Sequence, residues 1–188
     1  LRFLKDNAGR YGLDPARVGV WGGSAGGHLS SLVALSCGDA SLEAPGTRAA
    51  PGSECVQAAV IWYGVFDFAE LAASRPGGSD TAGVRLIGCN GPCTARQLAP
   101  ASPVTYIDRK DPPHLLIHGT EDKVVPVSQS YSAEARLKAA GVPVETLYIA
   151  GVDHSFIGKT PADTRAATLK ATNATFDYLH QMLDRPGK

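Results

Sequence analysis

Residues 18–21 form a short run of β-favouring side chains, and Ala25, Leu29, Leu32 and Val33 recur at helical spacing. Between them stands Gly22-Gly23-Ser24-Ala25-Gly26. The pattern is G-x-S-x-G, set directly after a strand and directly before a helix. Only a very sharp turn joins a strand to a helix over so few residues, and it thrusts the central side chain above the sheet. Side chains at 22 and 26 are expected to collide with the neighbouring strand and helix, so glycine is predicted to be required at both. A plain Gly-rich turn has the same letters, and it is the flanking strand and helix that favour a nucleophile elbow. In that reading Ser24 is the nucleophile. The Ala25 N–H, at the N-terminus of the new helix, faces a developing oxyanion.

The rest of the chain repeats this alternation. Residues 18–21 carry no polar alternation, as a strand covered on both faces reads; 56–63 is expected to be a second buried strand, and 114–118 and 144–149 a third and a fourth. Ala133, Leu137 and Ala140 mark a helix ended by Gly141. Thr160-Pro161-x-Asp163 opens a long helix whose apolar face is predicted to be Leu169, Phe176, Leu179 and Leu183. An opening helix is predicted from Leu1, Leu4, Ala8 and Tyr11, broken at Gly12. Residues 64–113 are expected to be loop with one or two short helices, punctuated by Pro76-Gly77-Gly78 and Asn90-Gly91-Pro92. Right-handed crossovers then lay about four parallel strands side by side, flanked by helices, in an α/β class. At 188 residues the chain is long enough for one domain, 1–188, and short for two.

Charge and hydropathy narrow the function classes. Lys and Arg number 18 and so do Asp and Glu, which gives no basic excess to neutralise phosphates, so no nucleic-acid partner is expected. The longest nearly apolar stretch, 56–66, is about half of the ~20 residues a membrane span requires. The four cysteines allow two disulfides, Cys37–Cys55 and Cys89–Cys93, or four reduced thiols. The Cys89-x3-Cys93 spacing is also that of a metal clip, but no further His or Cys pair lies near to complete a zinc site. Disulfides would lean towards a periplasmic or secreted location.

A serine hydroxyl is a weak nucleophile without a base. Of the five histidines, His28, His114 and His118 are expected to be structural and His180 exposed. His154 follows the fourth strand, in a loop that a parallel sheet brings to the same C-terminal edge as Ser24. Asp122 follows the third strand and reaches that edge too. Asp67 and Glu121 are its competitors. The order Ser24, Asp122, His154 is the Ser…Asp…His order of the nucleophile-elbow hydrolases.

Several further residues extend this into a family resemblance. Tyr11-Gly12-Leu13-Asp14-Pro15, residues 22–29, Ala101-Ser102-Pro103-Val104-Thr105-Tyr106, His118-Gly119 with Asp122 and Val125-Pro126, Lys138-Ala139-Ala140-Gly141-Val142, and His154 with Phe156 together resemble the C-terminal two-thirds of a bacterial α/β-hydrolase esterase. The group is that of bifunctional feruloyl and acetyl-xylan esterases, near the prolyl-oligopeptidase-like hydrolases. The resemblance implies a serine hydrolase of carboxylic esters with Ser24, Asp122 and His154 as triad and Ala25 as one oxyanion donor. It implies small-molecule ester substrates and no cofactor or metal. The Cys89/Cys93 pair resembles one found in some members. A peptidase or an arylformamidase on the same scaffold, and an inactive hydrolase-fold binding module, are the alternatives. The family's His-Gly-Gly oxyanion loop and first strands have no counterpart in residues 1–188, and the first residue is Leu. The domain is therefore expected to be incomplete at its N-terminus, poorly soluble and nearly inactive alone, with an unpartnered edge on its first strand. Asp153 departs from the small residue usual before the catalytic histidine. It is expected either to raise the basicity of His154 or to compete with Asp122 for it.

Overall fold

A computed structural model describes residues 1–43, 52–75 and 81–184. Four strands, β1 (Gly19–Gly23), β2 (Ala58–Trp62), β3 (His114–Gly119) and β4 (Val144–Ile149), form one parallel sheet in the order β1-β2-β3-β4. Every crossover carries helix: α3 (Ala25–Leu35) between β1 and β2, three short helices between β2 and β3, and α7 (Ser128–Ala140) between β3 and β4. The short helices are α4 (Phe68–Ala73), α5 (Thr81–Ile87) and α6 (Ala95–Leu98). Among the described residues the region therefore holds three short helices where one or two were expected, plus 3-10 turns at Ala99–Ala101 and Pro103–Tyr106. Pro76-Gly77-Gly78 and residues 44–51 lie outside the described residues.

The sheet's period of two divides the core between its faces. Ala59, Ile61 and Leu116 pack with Ala34 and Leu35 of α3 and Ala133 and Leu137 of α7. Ala58, Val60, Leu115 and Ile117 face the other way, against α8 (Pro161–Leu183). β2 and β3 are sealed on both sides, which explains the apolar runs 58–62 and 115–117. α8 opens with a full capping box between Thr160 and Asp163 and Pro161 in its first turn. α7 ends on Gly141 at φ 81, in the left-handed region.

Three expectations are corrected. The buried stripe of α8 is Ala167, Ala171, Thr175 and Tyr178, while Leu169 and Phe176 are 55% and 49% exposed. Small residues let α8 lie close against the sheet, and Thr175 accepts a hydrogen bond from Trp62 Nε1 at 2.9 Å. Leu179 and Leu183 do pack on this core. Second, β1 is not covered on both faces: Trp21 is 42% exposed, against Phe176 and Trp62. β1 ends the sheet, with no strand on its outer edge among the described residues. Third, the opening helix is two pieces, α1 (Arg2–Asp6) and α2 (Ala8–Tyr11), and of its four expected face residues only Ala8 is buried.

Both disulfides are formed, with Cα separations of 5.0 Å for Cys37–Cys55 and 5.6 Å for Cys89–Cys93. The first ties the end of α3 to the segment before β2. There Arg2 pairs with Glu43 and Glu54, and Lys5 donates to the Cys55 carbonyl at 2.6 Å. Closing that loop stabilises the fold by at most ~3 kcal/mol in the chain-entropy view. No helix among the described residues is long and apolar enough to cross a membrane.

Candidate active site

Ser24 occupies the turn between β1 and α3 at φ 55, ψ −120. Such a conformation is costly for a residue with a side chain, by about 1–3 kcal/mol, and persists only where the surroundings impose it. They do so here. The Ser24 N–H donates to the Trp62 carbonyl at the end of β2 (3.0 Å), and the Ser24 carbonyl accepts from His28 N–H (2.9 Å). A Cβ at Gly22 would strike the Gly26 backbone and Ser30 Oγ, as expected. Gly26 itself faces open space, contrary to expectation. The second close approach belongs to Gly27, where a Cβ would meet Gly64 Cα and the Trp62 carbonyl at 2.9 Å. α3 thus leans on β2 through Gly27. Ala25 opens α3, and its N–H has no hydrogen-bond acceptor among the described residues.

Asp122 lies in the turn after β3, with its side chain fully buried. Oδ1 accepts the N–H groups of Val124 (2.9 Å) and Val125 (2.8 Å). Oδ2 faces two imidazoles, His154 Nδ1 at 2.8 Å and His118 Nε2 at 3.3 Å. His118 Nε2 is also 2.8 Å from the Val125 carbonyl. Both neighbours of Nε2 are acceptors, so Nε2 carries the hydrogen. In the neutral ring Nδ1 then accepts from the Ser130 hydroxyl of α7 at 2.7 Å. Burial works against charge on Asp122, but the donors from His118, His154 and Val125 outweigh it and hold the carboxyl well below its ordinary range.

His154 begins a 3-10 turn, His154–Phe156, in which Ser155 and Phe156 have φ of 59 and 58. Phe156 is 1% exposed and anchors this strained turn in the core. The Tyr63 ring meets the rings of both His154 and Phe156 at 4.8 Å between centroids. Nδ1 of His154 faces a carboxylate and so carries the hydrogen. Nε2 is left as an acceptor 2.9 Å from Ser24 Oγ. Three side chains spread over 130 positions thus meet in one hydrogen-bonded line at the C-terminal rim of the sheet.

The profile of the BD-FAE family matches residues 1–137. The chain belongs to the BD-FAE family. It is 40% identical over 132 residues to the probable carboxylic ester hydrolase LipM of Mycobacterium tuberculosis, covering 69% of this chain and 30% of LipM. Esterase LipQ of the same organism is 33% identical over 154 residues, covering 75% and 33%. The chain therefore spans about a third of the length of these curated relatives. Thermogutta terrifontis esterase 2, phosphonylated by sarin, superposes with a TM-score of 0.76 at 26% identity, over 99% of this chain and 64% of that one. The parallel sheet and its flanking helices are thus those of an α/β-hydrolase fold.

In this BD-FAE chain the remaining candidates lie away from the line. Asp67 caps α4, accepting from Ala69 and Glu70 N–H, and pairs with Arg136 at 3.1 Å. Glu121 is exposed, as is His180. His28 is buried, with Nε2 2.7 Å from the Ala101 carbonyl and its ring against Phe68. His114 is buried at the opposite end of β3. Asp153 neither touches the His154 ring nor shares it with Asp122. Its Oδ1 accepts the backbone N–H groups of Lys123 (2.9 Å) and His154 (2.7 Å). Sequence reasoning missed Ser130 and Tyr63, which carry no motif and reach the site only through packing. Cys37, Glu54 and Cys55 are close enough together to hold a metal ion, but the two sulfurs are bonded to each other.

Proposed function

We propose that this chain carries the reacting groups of a serine carboxylesterase acting on small-molecule carboxylic esters. The supporting observation is the continuous line from Ser24 Oγ through His154 to Asp122, at 2.9 and 2.8 Å. The kinship with LipM and LipQ supports ester hydrolysis. That Thermogutta terrifontis esterase 2 is phosphonylated by sarin fits covalent chemistry on this scaffold.

In this reading Ser24 Oγ bonds to the ester carbonyl carbon as its proton passes to His154 Nε2. The carbonyl oxygen takes up the electron pair and is met by the Ala25 N–H. Asp122 keeps Nδ1–H in place and stabilises the imidazolium. Collapse breaks the bond to the alcohol oxygen, which leaves with the proton from Nε2. Water then adds to the acyl-Ser24 carbonyl, giving its proton to Nε2, and the carboxylic acid departs as Ser24 recovers its proton.

Parallel assays with acetyl, feruloyl and aminoacyl substrates, run on the full-length protein and on its S24A variant, test this. Ester turnover that disappears in S24A is the expected result. Ester turnover that survives in S24A, or cleavage confined to aminoacyl amides, overturns it.

A further inference from the structure

We propose that Asp153 is a positioning residue, holding the Asp122 and His154 loops in one register by accepting the backbone N–H groups of Lys123 and His154 on a single carboxylate oxygen. This rests on the reading of Asp122 and His154 as acid and base. The two amides belong to the residue after Asp122 and to His154 itself. One oxygen, at 2.9 and 2.7 Å, thus fixes the backbone on both sides of the 2.8 Å contact between Oδ2 and Nδ1. The other links between these loops lie nearer the strands. Thr120 N–H donates to the Ile149 carbonyl (3.0 Å), Glu121 N–H to the Val152 carbonyl (3.1 Å), and Gly151 N–H to Thr120 Oγ1 (3.2 Å). Asp153 is the link closest to the reacting groups.

The turn it serves works against itself. Ser155 and Phe156 both sit in the left-handed region, which side chains beyond glycine disfavour. The Asp153 N–H donates to the Ile157 carbonyl at 2.8 Å, closing the turn from behind while the carboxylate holds its front. The ion pair of Asp153 with Lys123 Nζ is long, at 3.4 Å, and Lys123 is 81% exposed, so the pair itself contributes little. The acceptor oxygen, rather than the charge, performs the positioning. That assignment separates the substitutions sharply.

D153N keeps an acceptor and loses the charge. D153E keeps the charge and moves the acceptor by one methylene. D153A loses both. A displacement of the imidazole by a fraction of an ångström to one ångström lowers turnover by about 10–100-fold. D153A and D153E are therefore expected to lose kcat by about that factor with KM within about two-fold, and D153N to stay within about three-fold of wild type. The second readout needs no turnover: the downfield proton resonance of His154 Nδ1–H, bonded to Asp122, is expected to persist in D153N and to broaden or move upfield in D153A and D153E. If D153A does not fold, the contrast of D153N with D153E decides. Wild-type kcat and resonance in D153E, or a D153N as impaired as D153E, overturn the proposal. A fluorophosphonate control on wild type and H154A keeps the two ideas apart. Labelling indifferent to His154 breaks the esterase reading, while the resonance still reports on Asp153.

Discussion

His114 and His118 sit on the same strand, β3, and both are fully buried, yet their surroundings differ completely. At the C-terminal end, His118 has partners on both nitrogens, and the carboxylate beside it is met by four donors. At the N-terminal end, His114 Nδ1 is 2.7 Å from the Pro112 carbonyl and Nε2 has no partner among the described residues. Burial pushes His114 down to about 4, only partly offset by that carbonyl, so the ring is neutral near pH 7. One end of the strand invests in hydrogen bonds that fix ring orientation, as the proposed proton transfer at a defined nitrogen requires. The other tolerates an unsatisfied atom because packing is all that is asked of it.

The sharpest break between the two ends is expected from D122N. It retains the shape of the site but reverses the donor and acceptor logic at His154 Nδ1, and ester turnover is expected to fall by about 10⁴-fold. Steady-state kinetics check this. A D122N enzyme within ten-fold of wild type would mean that the donors around Asp122 serve only folding.

H118L is next. It removes the Nε2–H donor from Asp122 and leaves Ser130 and the Val125 carbonyl without their partner, which costs about 1–3 kcal/mol of stability. Turnover is expected to fall by about ten-fold at unchanged KM, through a less fixed carboxylate. H118Q, which restores a side-chain N–H near the same place, is expected to recover most of it. Urea unfolding alongside kinetics separates the two effects.

The opposite end gives a thermodynamic signal and no kinetic one. Because the folded His114 resists protonation, the unfolded chain binds more protons between about pH 6.5 and about 4. The stability that neutral His114 allows is present in full above that window and is lost as pH falls through it, by about 3 kcal/mol. Asp111, raised to about 6 by burial, acts in the opposite sense over part of the same range, so the comparison is with H114L rather than with wild type alone. H114L is expected to flatten the acid limb of the unfolding free energy and leave kcat unchanged. An unaltered limb would show that His114 is not the group responsible.

The smallest effect is expected at Asp67. D67A removes the α4 cap and the Arg136 pair, costing about 1 kcal/mol. Turnover should stay within two-fold, and a larger loss would return Asp67 to the list of acids.

What the sequence made legible was whatever topology forces. A parallel sheet puts every strand's C-terminal loop on one rim, so Ser24, Asp122 and His154 could be brought together from strand order alone. G-x-S-x-G added a turn that few other structures need. Illegible were features set by direction rather than by position. Gly26 and Gly27 are adjacent and chemically alike, and only the tilt of α3 on β2 makes Gly27 the one that touches. Hydrophobicity marked Leu169 and Phe176 on α8, whereas close approach selected Ala167, Ala171 and Thr175. The apolar run of β1 reads like a covered strand, yet Trp21 is exposed because β1 ends this sheet. Asp153 was expected either to raise the basicity of His154 or to compete with Asp122 for it. The extended backbone at Asp153, φ −85 and ψ −170, instead aims its carboxylate at two amides, and no spacing rule encodes that.

In the proposed reaction Ser24 is made nucleophilic by His154. The direct measurement is the site and rate of phosphonylation by a fluorophosphonate, read by peptide mass on wild type and on H154A. A single adduct on the peptide bearing Ser24 is expected, formed far more slowly in H154A. An adduct on another side chain such as Ser155 or Tyr63, or a rate that ignores the loss of His154, would contradict it.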